Sequence, residues 1–201
     1  MSEYRPEFVI WTSRYVEGWC TLLRPEPYED LYELDYGQPL ADRWPADSFS
    51  RMDPDRRKDL QLADSVRCPY ARTVSTRLRT AIETAGETRL EWLPLAILNH
   101  KGRVAARDYW IANPPYTIDC IDLDASNARW AGRMLDADDP FAACDRLVLR
   151  PEVVPAGVQV FRARFKPGLL LMRRTLAEAL LNEGLSGLAF GEPDAYRGLA
   201  A

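Results

Sequence analysis

Three aspartates, Asp119, Asp122 and Asp124, stand close enough in the sequence to crowd carboxylates into one place. That is what a divalent cation or a glycosidase-like acid pair requires. Nothing in their spacing demands such a site, because it fits a strand running into a loop equally well. A second group, Asp136-Ala137-Asp138-Asp139, also offers carboxylates to a hard cation. It lacks the glycine and the distal glutamate of a calcium loop, so a solvated acidic turn is the better reading. His100 is the only histidine, and any Ser-His or Cys-His relay would have to use it. It sits beside Lys101-Gly102 in what reads as a solvated hairpin turn, with no carboxylate or nucleophile next to it. Ser75 and Ser126 each precede a helix-like segment and read as N-caps rather than nucleophiles. Cys20, Cys68, Cys120 and Cys144 stand singly, without a Cys-x-x-Cys pair, and read as reduced, buried thiols. There is no glycine-rich phosphate loop and no dinucleotide fingerprint. The expectation is a protein that is not an enzyme and holds no cofactor or metal.

Charge is more informative in its distribution than in its sum. The chain carries a formal charge of -4 and a pI near 5.2, the wrong sign for a nucleic-acid binder, which needs clustered Lys and Arg. Between Glu26 and Asp64 eleven acidic residues face five basic ones, and between Asp119 and Asp145 seven face two. One reading is a soluble acidic surface. The sharper one is a docking face for a basic protein, because carboxylates interleaved with Tyr and Trp combine steering with aromatic anchors. The candidates for that face are Asp30, Tyr32, Glu33, Asp35, Tyr36 and Trp44, with Asp136, Asp138 and Asp139 from the second stretch. No apolar run approaches the roughly 20 residues of a membrane span. The amino end lacks the basic start and apolar stretch of a secretory signal, so a cytoplasmic protein is expected, with no membrane partner.

The elements that must carry such a face are partly written twice. Pro69, Val74, Leu78, Ala81, Ile82, Gly86, Leu90 and Trp92 recur without a gap at Pro167, Met172, Leu176, Ala179, Leu180, Gly184, Leu188 and Phe190. Each copy reads as a strand, a helix with apolar residues at i, i+3 and i+4, a glycine stop and a second strand. The fold class expected is α+β: one largely antiparallel sheet on which two strand-helix-strand units, about 69–92 and 167–190, pack their helices. A capping box in the second copy would use Thr175 and Glu178. Phe8–Trp11 and Trp19–Leu23 suggest an opening hairpin, and residues 90–98, 105–112 and 117–123 an antiparallel meander broken at Pro114-Pro115. Residues 126–135 fit a short helix or a strand. Between 158 and 165 the alternation points Phe161, Ala163 and Phe165 inward and Arg162 and Arg164 outward. A long irregular excursion at about 25–64, with at most short helical turns, carries enough aromatic residues to pack rather than wander. The tail from Glu192 is expected to fray. One domain over residues 1–201 is expected, with the oligomeric state left open.

Several stretches occur in an order that carries a family resemblance. They are Gly37-Gln-Pro-Leu40 with Trp44-Pro45; Ala71-Arg-Thr-Val-Ser75-Thr-Arg-Leu78; Tyr109-Trp-Ile-Ala-Asn113; Ile118-Asp-Cys-Ile-Asp122-Leu-Asp-Ala-Ser126; and Val160-Phe-Arg162 with Leu185-Ser-Gly187-Leu-Ala-Phe190. Over roughly residues 28–190 the chain resembles the immunity protein eleven family of bacterial polymorphic-toxin systems. The resemblance implies a small cytoplasmic α+β protein encoded beside a toxin, which protects its producer by binding and neutralising that cognate protein toxin. At family level such toxins can be nucleases, and a basic toxin would suit the acidic chain. No catalytic residue comes with the resemblance. Asn113-Pro114-Pro115 departs from the apolar continuation the family pattern leads one to expect, which unsettles the local strand register. The rival readings are a non-inhibitory adaptor of a secretion or toxin-delivery system and, behind it, an enzyme using the Asp119, Asp122 and Asp124 carboxylates.

Overall fold

The computed structural model describes residues 5–86, 89–130 and 140–197. Ten strands and four helices follow one another as β1 (Phe8–Ser13), α1 (Leu31–Tyr36), β2 (Phe49–Arg51), β3 (Ser65–Cys68), β4 (Ala71–Ser75), α2 (Thr76–Thr84), β5 (Glu91–Leu98), β6 (Val104–Asn113), β7 (Thr117–Ile118), α3 (Leu123–Ser126), β8 (Val160–Ala163), β9 (Lys166–Arg173), α4 (Arg174–Asn182) and β10 (Leu188–Gly191). The α+β class is as expected. The strands, however, form two mixed sheets instead of one, in the orders β2-β5-β6-β4-β3 and β10-β1-β9-β8-β7. Among the described residues no helix is long and apolar enough to cross a membrane.

The doubled segment accounts for the division. Helices α2 and α4 begin and end at corresponding positions of the two copies, and each copy sits on its own sheet. In the first sheet the strands before and after the helix flank β6, and Ile111 lies opposite Thr73 on one side and Leu93 on the other. In the second they flank β1, and Ile10 lies opposite Leu171 and Gly191, the copies of those two positions. The strand held between the two strands of each copy thus comes from outside that copy's half: β1 precedes the first copy but pairs with the second. The outer ladder repeats as well. Val66 pairs Thr73 as Phe161 pairs Leu171, and Thr21 bridges Arg67 in parallel as Thr117 does Arg162. The segment from Trp19 is therefore no partner for β1 in an opening hairpin. Both edges of β1 are taken by β9 and β10, and residues 19–22 bridge Gln61, Arg67 and Met52 instead. The expected meander holds for β5 and β6 only. After Pro114-Pro115 the chain crosses over, and β7 joins the second sheet.

Three clusters of apolar side chains fill the interior. Helices α2 and α4 touch each other and share one cluster with Val9, Trp11, Val74, Ala112, Val160 and Met172 from facing sides of the two sheets. The opposite side of each sheet is covered by an irregular stretch. Leu31, Leu34, Leu40, Trp44 and Met52 of the first excursion lie on Leu93, Leu95, Ile97 and Ile111. Cys120, Ile121, Phe141, Leu147 and Val158 lie on Phe8, Ile10, Phe161 and Leu171. Both sheets are therefore buried on both faces, which changes what alternation along a strand means.

Local chemistry sets the helix ends. Ser75 caps α2 as expected, its Oγ accepting from the Leu78 N–H at 3.2 Å. The capping box at Thr175 does not form, because α4 starts at Arg174 and Arg173, the counterpart of Ser75, occupies the cap position without a side-chain cap bond. The Arg173 side chain reaches away, donating to the Val158 carbonyl at 2.8 Å. Ser126 is the last residue of α3 rather than an N-cap; Asp122 caps that helix by accepting from Ala125 N–H at 2.9 Å. The rest of the 126–135 segment, from 131 onward, lies outside the described residues. The tail is tied down through Arg197: Pro193 is buried, Tyr196 packs on the third cluster, and the Cys144 N–H donates to the Arg197 carbonyl at 3.0 Å.

Candidate functional site

The three aspartates do not converge. Asp119 accepts from Arg150 at 2.8 Å and lies 3.5 Å from Arg164, Asp122 is the α3 cap, and Asp124 lies in that helix's first turn. Among the described residues no group of His, Cys, Asp and Glu is placed to hold a metal ion. His100 is half-buried instead of solvated, with both ring nitrogens shielded and without a hydrogen-bond partner among the described residues. All four cysteines are free and buried. Burial pushes the Cys20 and Cys120 thiols up to about 12 and Cys68 up to about 11, so they stay protonated and unreactive. Two apolar grooves of about 280 and 300 Å3 occupy equivalent places in the two halves. Arg146, Leu147, Pro193 and Asp194 line one at the same spacing as Ser48, Phe49, Leu95 and Ala96 line the other.

The first acidic stretch behaves differently. Its short helix α1 is fastened by Leu31 and Leu34, both buried in the first cluster, each contributing on the order of 2 kcal/mol. Of the remaining side chains of α1, the two tyrosines face outward. Tyr32 is 74% exposed and Tyr36 42%, one turn apart on the same side of the helix. Asp30, Tyr32, Glu33, Tyr36 and Gln38 line an open hollow. On its far side Tyr36 also borders a second hollow, with Lys166, Gly168, Leu169 and Tyr196.

The candidate residues divide into those presented and those that support. Asp30 is exposed, and Asp35 is half-buried against β9, where a Cβ on Gly168 would lie 3.1 Å from its carboxylate. Glu33 is committed locally: it accepts from the Tyr28 hydroxyl and pairs with Arg43 at 2.7 Å, and these two donors hold its carboxyl below the usual range. Trp44 is not part of the surface. It is 8% exposed, its ring centroid lies 4.9 Å from that of Tyr28, and its indole N–H donates to the Pro94 carbonyl at 2.9 Å. It supports the face from beneath. Asp136, Asp138 and Asp139 lie outside the described residues. Among the described residues, ion pairs take up Glu26, Glu33, Asp53, Asp59 and Asp64 of the excursion, while Glu29, Asp30, Asp35, Asp42, Asp47 and Asp55 have none. Of these, Glu29 and Asp30 lie just before α1 and Asp35 within it, where Asp35 is also within electrostatic reach of Arg162, Arg72 and Lys166.

Sequence reasoning missed Arg162. Expected to point outward, it is 4% exposed, and its guanidinium reaches the end of α1. It donates to the carbonyls of Leu34 at 2.6 Å, Asp35 at 2.8 Å, Pro167 at 2.6 Å and Pro114 at 3.2 Å, with Asn113 Oδ1 at 3.4 Å. Gly37 makes room for it, since a Cβ there would lie 2.4 Å from Arg162 Cδ. The immunity protein family Imm11 matches the chain over residues 23–194, from the edge of the excursion through β10. The chain belongs to this family. No curated protein matches it.

In this Imm11 chain the matched region starts after β1, although β1 is an interior strand of the second sheet, between β10 and β9. The two halves are also clasped by Asp64, just before β3. Its carboxylate accepts from the Ser75 hydroxyl, the Ser186 N–H and the Ser186 hydroxyl, each at 2.8 Å, and from Arg77 at 3.3 Å. Burial alone would raise its pKa; the donors of Ser186 and Ser75 and the Arg77 charge outweigh burial and hold it below the ordinary value. A depressed folded-state pKa adds stability that is present above the unfolded value and lost as pH falls through the folded one. Asp64→Asn should therefore cost about 2 kcal/mol at pH 7 and markedly less near pH 3, measured by urea unfolding at both. An equal cost at both pH values would show that the charge contributes nothing.

Proposed function

We propose that the protein is a cytoplasmic immunity protein that binds a cognate toxin and neutralises it by occlusion, using the α1 face. The observation that carries this reading is the pair of exposed tyrosines, Tyr32 and Tyr36, set among unpaired carboxylates on a helix anchored from below. Rigid aromatic anchors inside a charged surround are the composition of a protein interface. Occlusion requires shape and charge and no reactive group. The partner's chemistry follows from the sign of the charge: a basic toxin, such as a nuclease that must hold phosphate, is drawn to an acidic face by the same field. The stretch with Asp136, Asp138 and Asp139 is proposed to extend that field.

Co-expression with the toxin encoded beside it tests the reading. The wild-type chain should restore growth, and Tyr32→Ala with Tyr36→Ala should weaken toxin binding about 30-fold or more and abolish rescue. Asp30→Asn with Asp35→Asn should instead slow association and flatten its salt dependence, leaving dissociation nearly unchanged. Binding without rescue would mark an adaptor rather than an inhibitor. Unchanged affinity in the double tyrosine variant would remove α1 from the interface.

A further inference from the structure

Arg162 is a costly residue for its place. A desolvated guanidinium usually faces a carboxylate, and an apolar side chain of similar size often serves stability as well or better. Here no direct ion pair is made among the described residues: the hydrogen-bond partners are backbone carbonyls and one amide, and the nearest answer to the charge is electrostatic, from the Asp35 carboxylate on α1. The repeat supplies a control within the molecule. Arg67 occupies the equivalent register position, bridged in parallel by Thr21 as Arg162 is by Thr117, and Arg67 is exposed. The sheet therefore does not itself require a buried arginine there. What differs is the neighbour: only Arg162 meets a helix end, and that helix belongs to the opposite half.

Helix α1 needs such a grip. It spans six residues and has no side-chain cap at Asp30. A helix this short is not stable on its own. Two of the carbonyls bound by Arg162, those of Leu34 and Asp35, lie in its last turn, where positive charge is favoured; besides Arg162 the Leu34 carbonyl has only a long bond, at 3.4 Å, from the N–H of the cap residue Gly37. Tyr36 follows directly. The same guanidinium binds Pro167 at the start of β9 and Pro114 at the crossover between sheets, so α1 is referred to the second sheet as well as to the first.

We propose that Arg162 is the positioning residue of the docking face: it holds the Leu34 and Asp35 carbonyls and so fixes Tyr32 and Tyr36 in their binding orientation before the partner arrives. The proposal rests on the α1 reading of the preceding section. Such preorganisation spares the ordering cost at binding.

The test compares Arg162→Met and Arg162→Lys with the wild-type chain by hydrogen exchange, and measures affinity for the co-encoded toxin. In Arg162→Met the amides of residues 33–38 should exchange about tenfold faster while those of β4 and β5 keep their rates. Toxin affinity should fall about tenfold, chiefly through faster dissociation, because Asp30 and Asp35 remain to steer association. Arg162→Lys, with one cationic centre in place of a fork, should restore part of both. Should Arg162→Met not fold, Arg162→Lys alone reads the contact, through exchange in residues 33–38 intermediate between the wild-type rate and the tenfold increase. Exchange that rises uniformly, or not at all, in residues 33–38 would overturn the proposal alone. Faster local exchange with unchanged toxin affinity would overturn the docking-face reading and the role of Arg162 with it.

Discussion

Gly187→Ala should destabilise the protein by about 3–5 kcal/mol, lowering the melting temperature by roughly 10 °C. The turn between α4 and β10 passes so close to the start of β3 that a Cβ at Gly187 would lie 2.0 Å from the Ser65 carbonyl oxygen and 2.9 Å from Ala63 Cβ. Backbone bonds set this approach: Ser65 N–H donates to the Ser186 carbonyl at 2.9 Å, and Arg14 N–H to the Gly187 carbonyl at 3.1 Å. The Asp64 carboxylate fastens the same turn through Ser186. Retreat would break these bonds, so the added methyl cannot be accommodated by a small shift. Its φ of +78° adds the usual penalty for an L-residue, about 1–2 kcal/mol. Gly184 separates the two costs. Its φ is +68°, but nothing lies within 4 Å of a Cβ there, so Gly184→Ala should cost only about 1–2 kcal/mol. Thermal unfolding of the two variants side by side checks the prediction, and equal effects would mean that the two halves are not held so closely.

How much of this was legible in the sequence depends on the kind of statement. The helices are readable because apolar periodicity and the glycine stops are local signals, and both copies of the helix are marked in the sequence at Leu78 and Leu176. That the copies lie on separate sheets was not readable. Period two tells which face a residue takes and says nothing of which strand lies beside it, so the exchange of β1 and β6 left no local mark. Pro114-Pro115 announced a break without saying where the chain resumes. Arg162 was misplaced for a related reason. Alternating Phe161, Arg162 and Ala163 suggests one buried and one solvated face, but β8 is covered on both sides, and the second face is another interior. Trp44 was picked out by composition, which cannot separate an aromatic that anchors a partner from one that props up the surface. Tyr32 and Tyr36 do face solvent, because Leu31 and Leu34 occupy the inward positions of the same turns.

The structural repeat also makes an energetic prediction at its centre. Leu78 and Leu176 hold corresponding positions on α2 and α4, are 0% and 3% exposed, and lie in the one cluster common to both halves. Truncating either to Ala removes transfer energy and leaves a cavity that the close-packed sheets cannot fill, so each should cost about 2–5 kcal/mol. Were the halves independent, the two losses would simply add. The helices touch, however, and Val9, Trp11, Ile82 and Leu180 belong to the same cluster. In one close-packed cluster, relaxation around the first cavity changes the packing in which the second is opened. The double variant should therefore lose less than the sum of the singles, with a coupling of about 0.5–3 kcal/mol. Chemical denaturation of the four proteins in the cycle measures it, and a single cooperative transition should persist in each because each sheet holds an interior strand, β6 or β1, from outside its own copy's half. Strict additivity, or a second transition in either single variant, would show that each helix is supported by its own sheet alone.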